Sequence, residues 1–338
     1  MAEDEVAATA SGFDKAKAVE LGLLVQAAYT MYKEGGQTPS PTGISPAYAF
    51  VAWVQMQDFS IGSSEFQFYG VVVQEVAHPG HYVVAIRGTQ SDIEWFDDAT
   101  AAVPVSWPSG GNVGFGFNKI YGTLRIVDPQ AAENRMGARF AETSGSFAEQ
   151  VGRVTERHHM ATAKEGTPAP VAVSAVGHSL GSALATLYVS DNHRTRFKNV
   201  SLLCTFASPF VGDAAFAKSF DNLGIISWRV VNSRDLVPQL PPIEYQHVEV
   251  AETYDSGNET VIDLLDLKLT VGCWHSLQTY LHLLDSGQAI ETACLPRSTI
   301  FGARRMALAQ QPKQDVSVSV PRDGLTTINI TINVDGSS

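Results

Sequence analysis

Residues 171–184 read Val-Ala-Val-Ser-Ala-Val-Gly-His-Ser-Leu-Gly-Ser-Ala-Leu, and this stretch decides the fold. An apolar run typical of a buried strand ends at Gly177, and an Ala- and Leu-rich run typical of a helix follows Ser179. A serine on so sharp a turn has close neighbours, and the small Gly177 and Gly181 leave space for them. The turn also puts Ser179 at a helix N-terminus, which favours negative charge. The pattern indicates a nucleophile elbow, with an ordinary glycine-bounded turn as the alternative.

The composition is that of a globular chain built around one main domain. Of its 338 residues 44% are hydrophobic, which is ample for a core. No apolar run approaches the roughly 20 residues of a membrane span. The net charge of −12 argues against nucleic acid and anionic membranes as primary partners, because both attract clusters of Lys and Arg. The N-terminus is acidic where a secretory leader would be basic, so we expect a protein that is cytoplasmic or exported by a leaderless route.

The potential metal ligands are sparse and scattered. Three cysteines, Cys204, Cys273 and Cys294, are too few for a disulfide framework or a zinc site, and we expect free thiols. A bridge between Cys273 and Cys294 is the alternative for an exported protein. The pair His158 and His159 has no third ligand nearby, and we interpret it as a solvated helix end.

The first third of the chain predicts a helix and three strands. Apolar residues recur at helical spacing over 13–33, and strands follow at 50–56, 69–76 and 81–87. A tight turn at Pro79 and Gly80 joins the last two, so the sheet begins antiparallel and continues parallel. The third strand ends at Gly88 and Thr89, where a backbone N–H and a hydroxyl could bind an oxyanion together with the N–H of Leu180. An ordinary strand-end turn is the alternative.

Two further residues follow the elbow in a suggestive order. Asp235 lies just past the end of a predicted strand at 225–231, where ligands and catalytic side chains gather in parallel sheets. His275 lies at a junction between a loop and a helix that it opens, with His282 in the same helix as a competitor. The order Ser179, Asp235, His275 is that of Ser…Asp…His hydrolases. A turn or capping role is the alternative for Asp235, and three other aspartates compete for the acid's role: Asp213, Asp221 and Asp255.

The sequence resembles the class 3 lipases, the fungal triacylglycerol-lipase-like branch of the α/β-hydrolase fold. The resemblance spans residues 86–282, well over half of the chain. It departs from the family at Ala207, where a glycine is frequent, and in a longer passage through Trp107. The matching pieces are Ile86-Arg87-Gly88-Thr89 with Trp95, Gly116-Phe117, Gly177-His178-Ser179-Leu180-Gly181, Thr205-Phe206-Ala207-Ser208-Pro209 with Val211-Gly212, Arg234-Asp235 with Val237-Pro238, and His275 with Tyr280-Leu281-His282.

The resemblance implies a role for each candidate. Ser179 becomes the nucleophile, His275 the general base in preference to His282, and Asp235 the acid that orients it. Thr89 and Leu180 form the oxyanion hole. No metal or organic cofactor is implied. The segment around Trp95 corresponds to a lid, and Asp98, with Asp97 as the alternative, steadies the oxyanion residue.

The resemblance also implies an architecture and a substrate class. We expect an α/β-hydrolase domain over 1–310, with a mostly parallel central sheet flanked by helices and a lid at about 91–113. Trp107 belongs either to that lid or to the core. Alternating apolar residues predict an appended β-hairpin at 311–338 that covers a sheet edge or a dimer surface. The implied activity is hydrolysis of neutral acylglycerols at an oil–water interface. The alternatives are a phospholipase A1, a soluble carboxylesterase, and a non-catalytic scaffold that binds a lipid or a partner protein.

Overall fold

An eight-stranded mixed sheet runs through the structure, a computed structural model of the chain. The structure describes residues 12–57, 65–89, 103–129, 141, 144–163, 170–241, 244–257, 260 and 267–295. The strands are β1 Tyr48–Gln57, β2 Phe66–Glu75, β3 His81–Ile86, β4 Pro104–Ser106, β5 Asn112–Gly114, β6 Arg125–Val127, β7 Ala172–His178, β8 Val200–Phe206, β9 Gly212–Asp213, β10 Ile226–Asn232, β11 Tyr245–Gln246 and β12 Ala251–Tyr254. The helices are α1 Lys15–Glu34, α2 Phe115–Tyr121, α3 Phe147–Thr162, α4 Leu180–Asn192, α5 Ala214–Asp221, α6 Leu267–His275 and α7 Leu277–Leu284.

The large sheet changes from antiparallel to parallel along its width. Its strand order is β12-β10-β8-β7-β3-β2-β1-β6. Strand β1 pairs antiparallel with β2, and β2 antiparallel with β3, whereas β3, β7, β8, β10 and β12 run parallel. The predicted change of direction is therefore confirmed, and with it the mostly parallel sheet of an α/β-hydrolase fold. Because parallel strands end at one edge, the residues that follow β3, β7 and β10 are brought to the same side of the sheet.

Helices cover both faces of this sheet. On one face α1 and α7 bury Leu21, Leu24 and Leu281 against the strands. On the other face α2 and α3 bury Phe117 and Phe147, and α4 is buried along its whole length. Each fully buried side chain of this kind contributes about 1.5–3 kcal/mol relative to exposure. The apolar surface on both sides explains why the parallel strands read as continuous Val-, Ala- and Leu-rich runs.

Local signals fix the helix ends. In α1 the Asp14 side chain accepts a hydrogen bond from the Lys17 N–H, and the helix stops at Gly35, whose φ of 89° suits glycine. In α3, Ser146 and Glu149 form a reciprocal capping box. The sequence-based bounds for α1 are confirmed to within two residues. Strand β11 is short, and only its two residues Tyr245 and Gln246 pair with β9.

A small second sheet corrects the predicted extent of the lid. Strands β11, β9, β5 and β4 pair in that order, and a turn at Gly110 and Gly111 reverses the chain between β4 and β5. Trp107 in this hairpin is only 6% exposed, and its Nε1 donates to Ser190 Oγ at 2.9 Å. Trp107 therefore belongs to the core, and a lid that extends through it is wrong. The remainder of the predicted lid, 91–102, lies outside the described residues.

One disulfide bridge departs from the expected free thiols. Cys273 and Cys294 are bonded to each other, with their Cα atoms 5.3 Å apart. The bridge exists because a 3₁₀ turn at Thr292–Cys294 returns the chain to the end of α6 after 21 residues. Cys204 is a free, buried thiol in β8, and burial raises the pKa of this thiol. The expectation of free thiols was wrong for two of the three cysteines.

The chain divides into the units Met1–Cys294 and Leu295–Ser338. The hairpin predicted at 311–338 lies in the second unit and outside the described residues, so it stays a prediction. Within the described part of the chain, no helix is both long and apolar enough to cross a membrane.

Candidate active site

Ser179 occupies the turn between β7 and α4 in a strained backbone conformation. Its φ is 56° and its ψ −128°, which an L-residue adopts only when the surrounding structure enforces it. A Cβ added to Gly177 would lie 2.3 Å from the Gly181 oxygen, and one added to Gly181 would lie 2.3 Å from the Ile86 oxygen. Both glycines are therefore required by the close approach of neighbouring backbone. The geometry is that of a nucleophile elbow.

A continuous line of hydrogen bonds joins Ser179 to His275 and Asp235. The Ser179 Oγ is 2.8 Å from His275 Nε2, and His275 Nδ1 is 2.8 Å from Asp235 Oδ2. The three residues are 4%, 8% and 1% exposed, respectively. Such burial strengthens each electrostatic interaction within the site. The structure thus brings together the serine, base and acid that the sequence suggested.

Asp235 is held by donors on both of its oxygens. The Val237 N–H donates to Oδ1 at 3.0 Å, and the Tyr280 hydroxyl donates to Oδ2 at 2.7 Å, beside the bond from His275. Burial, with the nearby charge of Asp235, raises the pKa of Tyr280 well above its usual value, so this hydroxyl stays protonated. A buried carboxylate with three donors is fixed in orientation.

His275 ends α6, which corrects the prediction that it opens a helix. The following residue, Ser276, has a non-helical ψ of 130° and is the N-cap of α7. Three successive main-chain carbonyls up to and including that of His275 each accept a hydrogen bond from a side chain elsewhere in the fold. The bonds are Thr279 Oγ1 to the Cys273 oxygen at 2.7 Å, Asn232 Nδ2 to the Trp274 oxygen at 2.8 Å, and His178 Nε2 to the His275 oxygen at 2.8 Å. The backbone that carries the imidazole is thereby fixed.

The predicted oxyanion residues Leu180 and Thr89 each follow a residue of the elbow contact: Leu180 follows Ser179, and Thr89 follows Gly88, which packs against Ser179. Leu180 is the first residue of α4, so its N–H belongs to the turn that has no intrahelical acceptor. Gly88, which precedes Thr89, approaches so closely that an added Cβ would lie 2.8 Å from the Ser179 Cβ. The Arg87 guanidinium donates to the Gly88 oxygen at 2.6 Å. Thr89 is partly exposed beside the site.

Arg87 is a buried cation at the end of β3. It is 1% exposed, and its guanidinium lies 3.6 Å from the ring centroid of Tyr32 and 3.9 Å from that of Tyr69. It also donates to the Phe68 oxygen through Nε and Nη2. These contacts fix the strand end from which the Gly88 peptide and Thr89 extend.

The competing residues make other contacts. His282 bonds through Nδ1 to the Gln288 oxygen at the far end of α7. Among the aspartates, Asp213 caps α5, Asp221 accepts from the Glu249 N–H, and Asp255 pairs with Arg234. Trp95 and Asp98 lie outside the described residues, so their predicted roles stay predictions.

A second Ser–His–carboxylate arrangement lies at the start of β7. His81 bonds through Nε2 to Ser174 Oγ at 3.0 Å and through Nδ1 to Glu75 Oε2 at 2.8 Å. Ser174 lies within a strand, where its N–H belongs to the sheet ladder, and it does not begin a helix as Ser179 does. Lys17 also pairs with Glu75 at 2.9 Å. The contrast shows that Ser179 is distinguished by its elbow and helix terminus as well as by its hydrogen bonds.

Sequence reasoning assigned no role to three residues of the site. Tyr280 and His178 both stand inside the matching motifs, and Tyr29 lies in α1. Tyr280 shares a helical spacing with Leu277, Leu281 and Leu284, and a hydroxyl on that apolar face was the available signal. Tyr29 and His178 are 149 residues apart in sequence, and no local pattern links them.

The arrangement is suited to acyl transfer. An imidazole that accepts the Ser179 proton, an acid that fixes the imidazole, and N–H groups at a helix terminus are the parts needed to form and stabilise a tetrahedral oxyanion. Among the described residues there is no group of three or more His, Cys, Asp or Glu that could hold a metal ion.

Comparisons with known proteins find lipases and phospholipases among the relatives of this chain. Residues 83–245 match the family described as lipase (class 3). Phospholipase A1-II 4 of Oryza sativa subsp. japonica is 31% identical over 228 residues, covering 61% of this chain and 50% of that protein. The lipase of Rhizomucor miehei is 33% identical over 212 residues, covering 60% of this chain and 50% of that protein. The chain spans about half the length of these curated relatives.

A solved structure shows the same fold. The crystal structure of a lipase from Rhizopus microsporus var. chinensis matches with a TM-score of 0.50 and 22% identity, over 73% of this chain and 76% of that one. This structural likeness concerns the fold only. The segment that matches the lipase family, residues 83–245, contains both Ser179 and Asp235. Over residues 83–245 the chain is therefore similar to the class 3 lipases.

Proposed function

We propose that the protein is a serine carboxylic-ester hydrolase. The observation that carries this proposal is the unbroken line from Ser179 Oγ through His275 to Asp235, with both contacts at 2.8 Å and the serine on a strained elbow. In the first half-reaction His275 Nε2 takes the hydroxyl proton while Ser179 Oγ bonds to the ester carbonyl carbon. The oxyanion accepts hydrogen bonds from Thr89 and Leu180. The alkoxy group leaves with the proton from His275, which gives an acyl-enzyme.

Water completes the cycle by the same route. It loses a proton to His275 Nε2 and attacks the acyl carbon, and the carbonyl oxygen again becomes an oxyanion. Collapse of this intermediate returns the proton to Ser179 Oγ and releases the carboxylic acid. Asp235 stays ionised throughout and holds the tautomer in which Nε2 can accept.

We propose neutral acylglycerols as the substrates. The net charge of −12 disfavours anionic lipid surfaces, and it leaves neutral oil surfaces unaffected. Leu236, directly after Asp235, is 45% exposed, and Phe115 and Val103, joined by a main-chain hydrogen bond, are 40% and 50% exposed. Exposed apolar side chains of this size favour contact with a lipid phase.

Hydrolysis of phospholipids at the first acyl position is the second candidate. It is favoured by relatives that carry the name phospholipase A1, among them the rice protein that is 31% identical. The triad chemistry is the same for both substrates, so the head group must be distinguished outside the triad.

One experiment compares the two substrate classes. Initial rates are measured against tributyrin and trioctanoin through their solubility limits, and against phosphatidylcholine vesicles labelled on the first acyl chain. A rate increase when the emulsion forms, with at least about tenfold slower vesicle hydrolysis, supports the acylglycerol assignment. Faster release from the vesicles identifies a phospholipase A1, and smooth saturation below the limit without emulsion activity identifies a soluble esterase. Ser179→Ala is the control, and it should lower each rate by about 10³-fold or more.

A further inference from the structure

A chain of three hydrogen bonds joins the two sides of the site behind Ser179. The Gly88 N–H donates to Tyr29 Oη at 2.8 Å, and Tyr29 Oη is 2.8 Å from His178 Nδ1. His178 Nε2 is in turn 2.8 Å from the main-chain oxygen of His275. One end of this chain lies beside the predicted oxyanion residue, and the other end holds the base.

A single tautomer satisfies the whole chain. The His275 oxygen can only accept, so the proton of His178 is on Nε2. Burial, together with the charge that His275 acquires, lowers the pKa of His178 well below its usual value. Nδ1 is then unprotonated and accepts from the Tyr29 hydroxyl, whose oxygen accepts from Gly88.

We propose that Tyr29 and His178 are positioning residues that set the separation between the oxyanion hole and the general base. This inference rests on the proposed hydrolase function. Gly88 carries Thr89 on one side of the nucleophile, and His275 approaches it from the other. Neither Tyr29 nor His178 is assigned contact with the substrate. Both act through the backbone that they hold.

The geometry makes the bridge sensitive to small changes. The rings of His178 and His275 are 4.8 Å apart, and His178 immediately precedes Ser179 in the chain. A movement of the Gly88 peptide or of the His275 backbone therefore alters the alignment of groups that act together in the transition state. Oxyanion donors stabilise the transition state more than the bound ester, so misalignment should lower kcat and leave KM nearly unchanged.

Three substitutions divide the bridge into its parts. Tyr29→Phe removes the oxygen that Gly88 and His178 share. His178→Gln can still donate to the His275 oxygen from a position like that of Nε2, but it offers no acceptor to Tyr29. His178→Asn keeps an acceptor near the position of Nδ1 and loses the reach to His275.

Kinetics with p-nitrophenyl butyrate below its solubility limit measure the effect. We expect each substitution to lower kcat by about tenfold, with KM within about twofold of the wild type. Because Tyr29 and His178 act as one unit, the kcat of the double variant Tyr29→Phe/His178→Gln should be little lower than that of the more impaired single variant.

Tyr82→Phe is the matched control. Tyr82 is a buried tyrosine whose hydroxyl bonds to His158 at 3.1 Å, with the rings 5.8 Å apart, as are those of Tyr29 and His178. Neither of these contacts joins Tyr82 to the active site. Its substitution should lower the melting temperature about as much as Tyr29→Phe does and leave kcat unchanged. This comparison separates positioning from a general loss of stability.

The inference is overturned if folded Tyr29→Phe keeps kcat within about twofold of the wild type, or if its loss lies in KM. An equal loss of kcat in Tyr82→Phe would also overturn it. Labelling with diethyl p-nitrophenyl phosphate keeps this failure distinct from failure of the proposed function. A wild type that is not labelled refutes the hydrolase itself, whereas a labelled wild type with an unchanged Tyr29→Phe rate refutes only the bridge.

Discussion

Asp235→Asn is the substitution whose consequence can be worked out atom by atom. In the wild type, Asp235 Oδ2 accepts from His275 Nδ1 at 2.8 Å and from the Tyr280 hydroxyl at 2.7 Å. Its Oδ1 accepts from the Val237 N–H at 3.0 Å. An asparagine must place its NH₂ group at one of these two positions, and the two choices have opposite effects on His275.

The choice that keeps the Val237 N–H bonded inactivates the base. With the amide oxygen toward Val237, the NH₂ group donates to His275 Nδ1 and to Tyr280 Oη, so the imidazole proton moves to Nε2 and points at Ser179. The reverse orientation sets the NH₂ group against the buried Val237 N–H. That conflict costs about 1–3 kcal/mol, and in the first orientation the lost acceptor of the Tyr280 hydroxyl offsets part of it. The imidazolium also loses the carboxylate charge that stabilises it, so we expect kcat to fall by about 10³- to 10⁴-fold.

Asp213→Asn provides the matched control for this experiment. Asp213 caps α5 by accepting from the Phe216 N–H at 2.8 Å, and it accepts from Asn112 at 2.7 Å. Asparagine is nearly as good an N-cap as aspartate, so activity should be unchanged. Both variants are assayed with a soluble ester at equal folded concentration, checked by near-UV circular dichroism. If Asp213→Asn is the crippled variant and Asp235→Asn is mild, the assignment of the acid is refuted.

Three further predictions concern stability and support of the site. Tyr280→Phe removes one hydrogen-bond donor from the buried Asp235 carboxylate. It should lower the free energy of unfolding by about 1.5–3 kcal/mol and kcat by about tenfold. Urea midpoints and rates equal to those of the wild type would contradict this. Burial alone would raise the pKa of Glu75, but hydrogen bonds, chiefly from Lys17, lower it to about 2. The resulting stabilisation is present above pH 4.5 and is lost as pH falls toward 2. Glu75→Gln should therefore lower the urea midpoint at pH 7, and the difference in midpoint from the wild type should shrink between pH 4.5 and 2. A difference that is independent of pH would refute the charge-based reason. Cys294→Ser opens the disulfide and should cost about 2–4 kcal/mol of stability, and an unchanged midpoint in urea would count against a bridge in the folded protein.

The parts of the fold that the sequence predicted are those with local signals. The elbow was readable because Gly177 and Gly181 bracket Ser179 where a strand pattern gives way to a helix pattern. The change from antiparallel to parallel pairing followed from a short turn before β3 and longer connections after it. Asp235 was recognisable because it follows the end of a buried strand. Each of these signals lies within a few residues of the feature that it predicts.

The parts that were missed or wrong depend on contacts between distant segments. From sequence Trp107 could belong to the lid or to the core, and only its packing against α4 shows that it is buried. The pairing of Cys273 with Cys294 required knowledge of where the chain returns after α7. His275 was placed at the start of a helix because the helix pattern continues through it, and the break at Ser276 has no strong sequence signal. The bond between Tyr29 and His178 is of the same long-range kind.

The central claim is that Ser179 is an activated nucleophile, and covalent labelling tests it most directly. The protein is treated with diethyl p-nitrophenyl phosphate, and the modified residue is located by fragmentation mass spectrometry of the peptide that contains Ser174, Ser179 and Ser182. The account predicts one diethylphosphoryl group on Ser179 and none on Ser179→Ala. An unlabelled protein, under conditions that label a known esterase, would make the chain a non-catalytic scaffold, and a label on Ser174 would place the reactive serine at the other end of the strand.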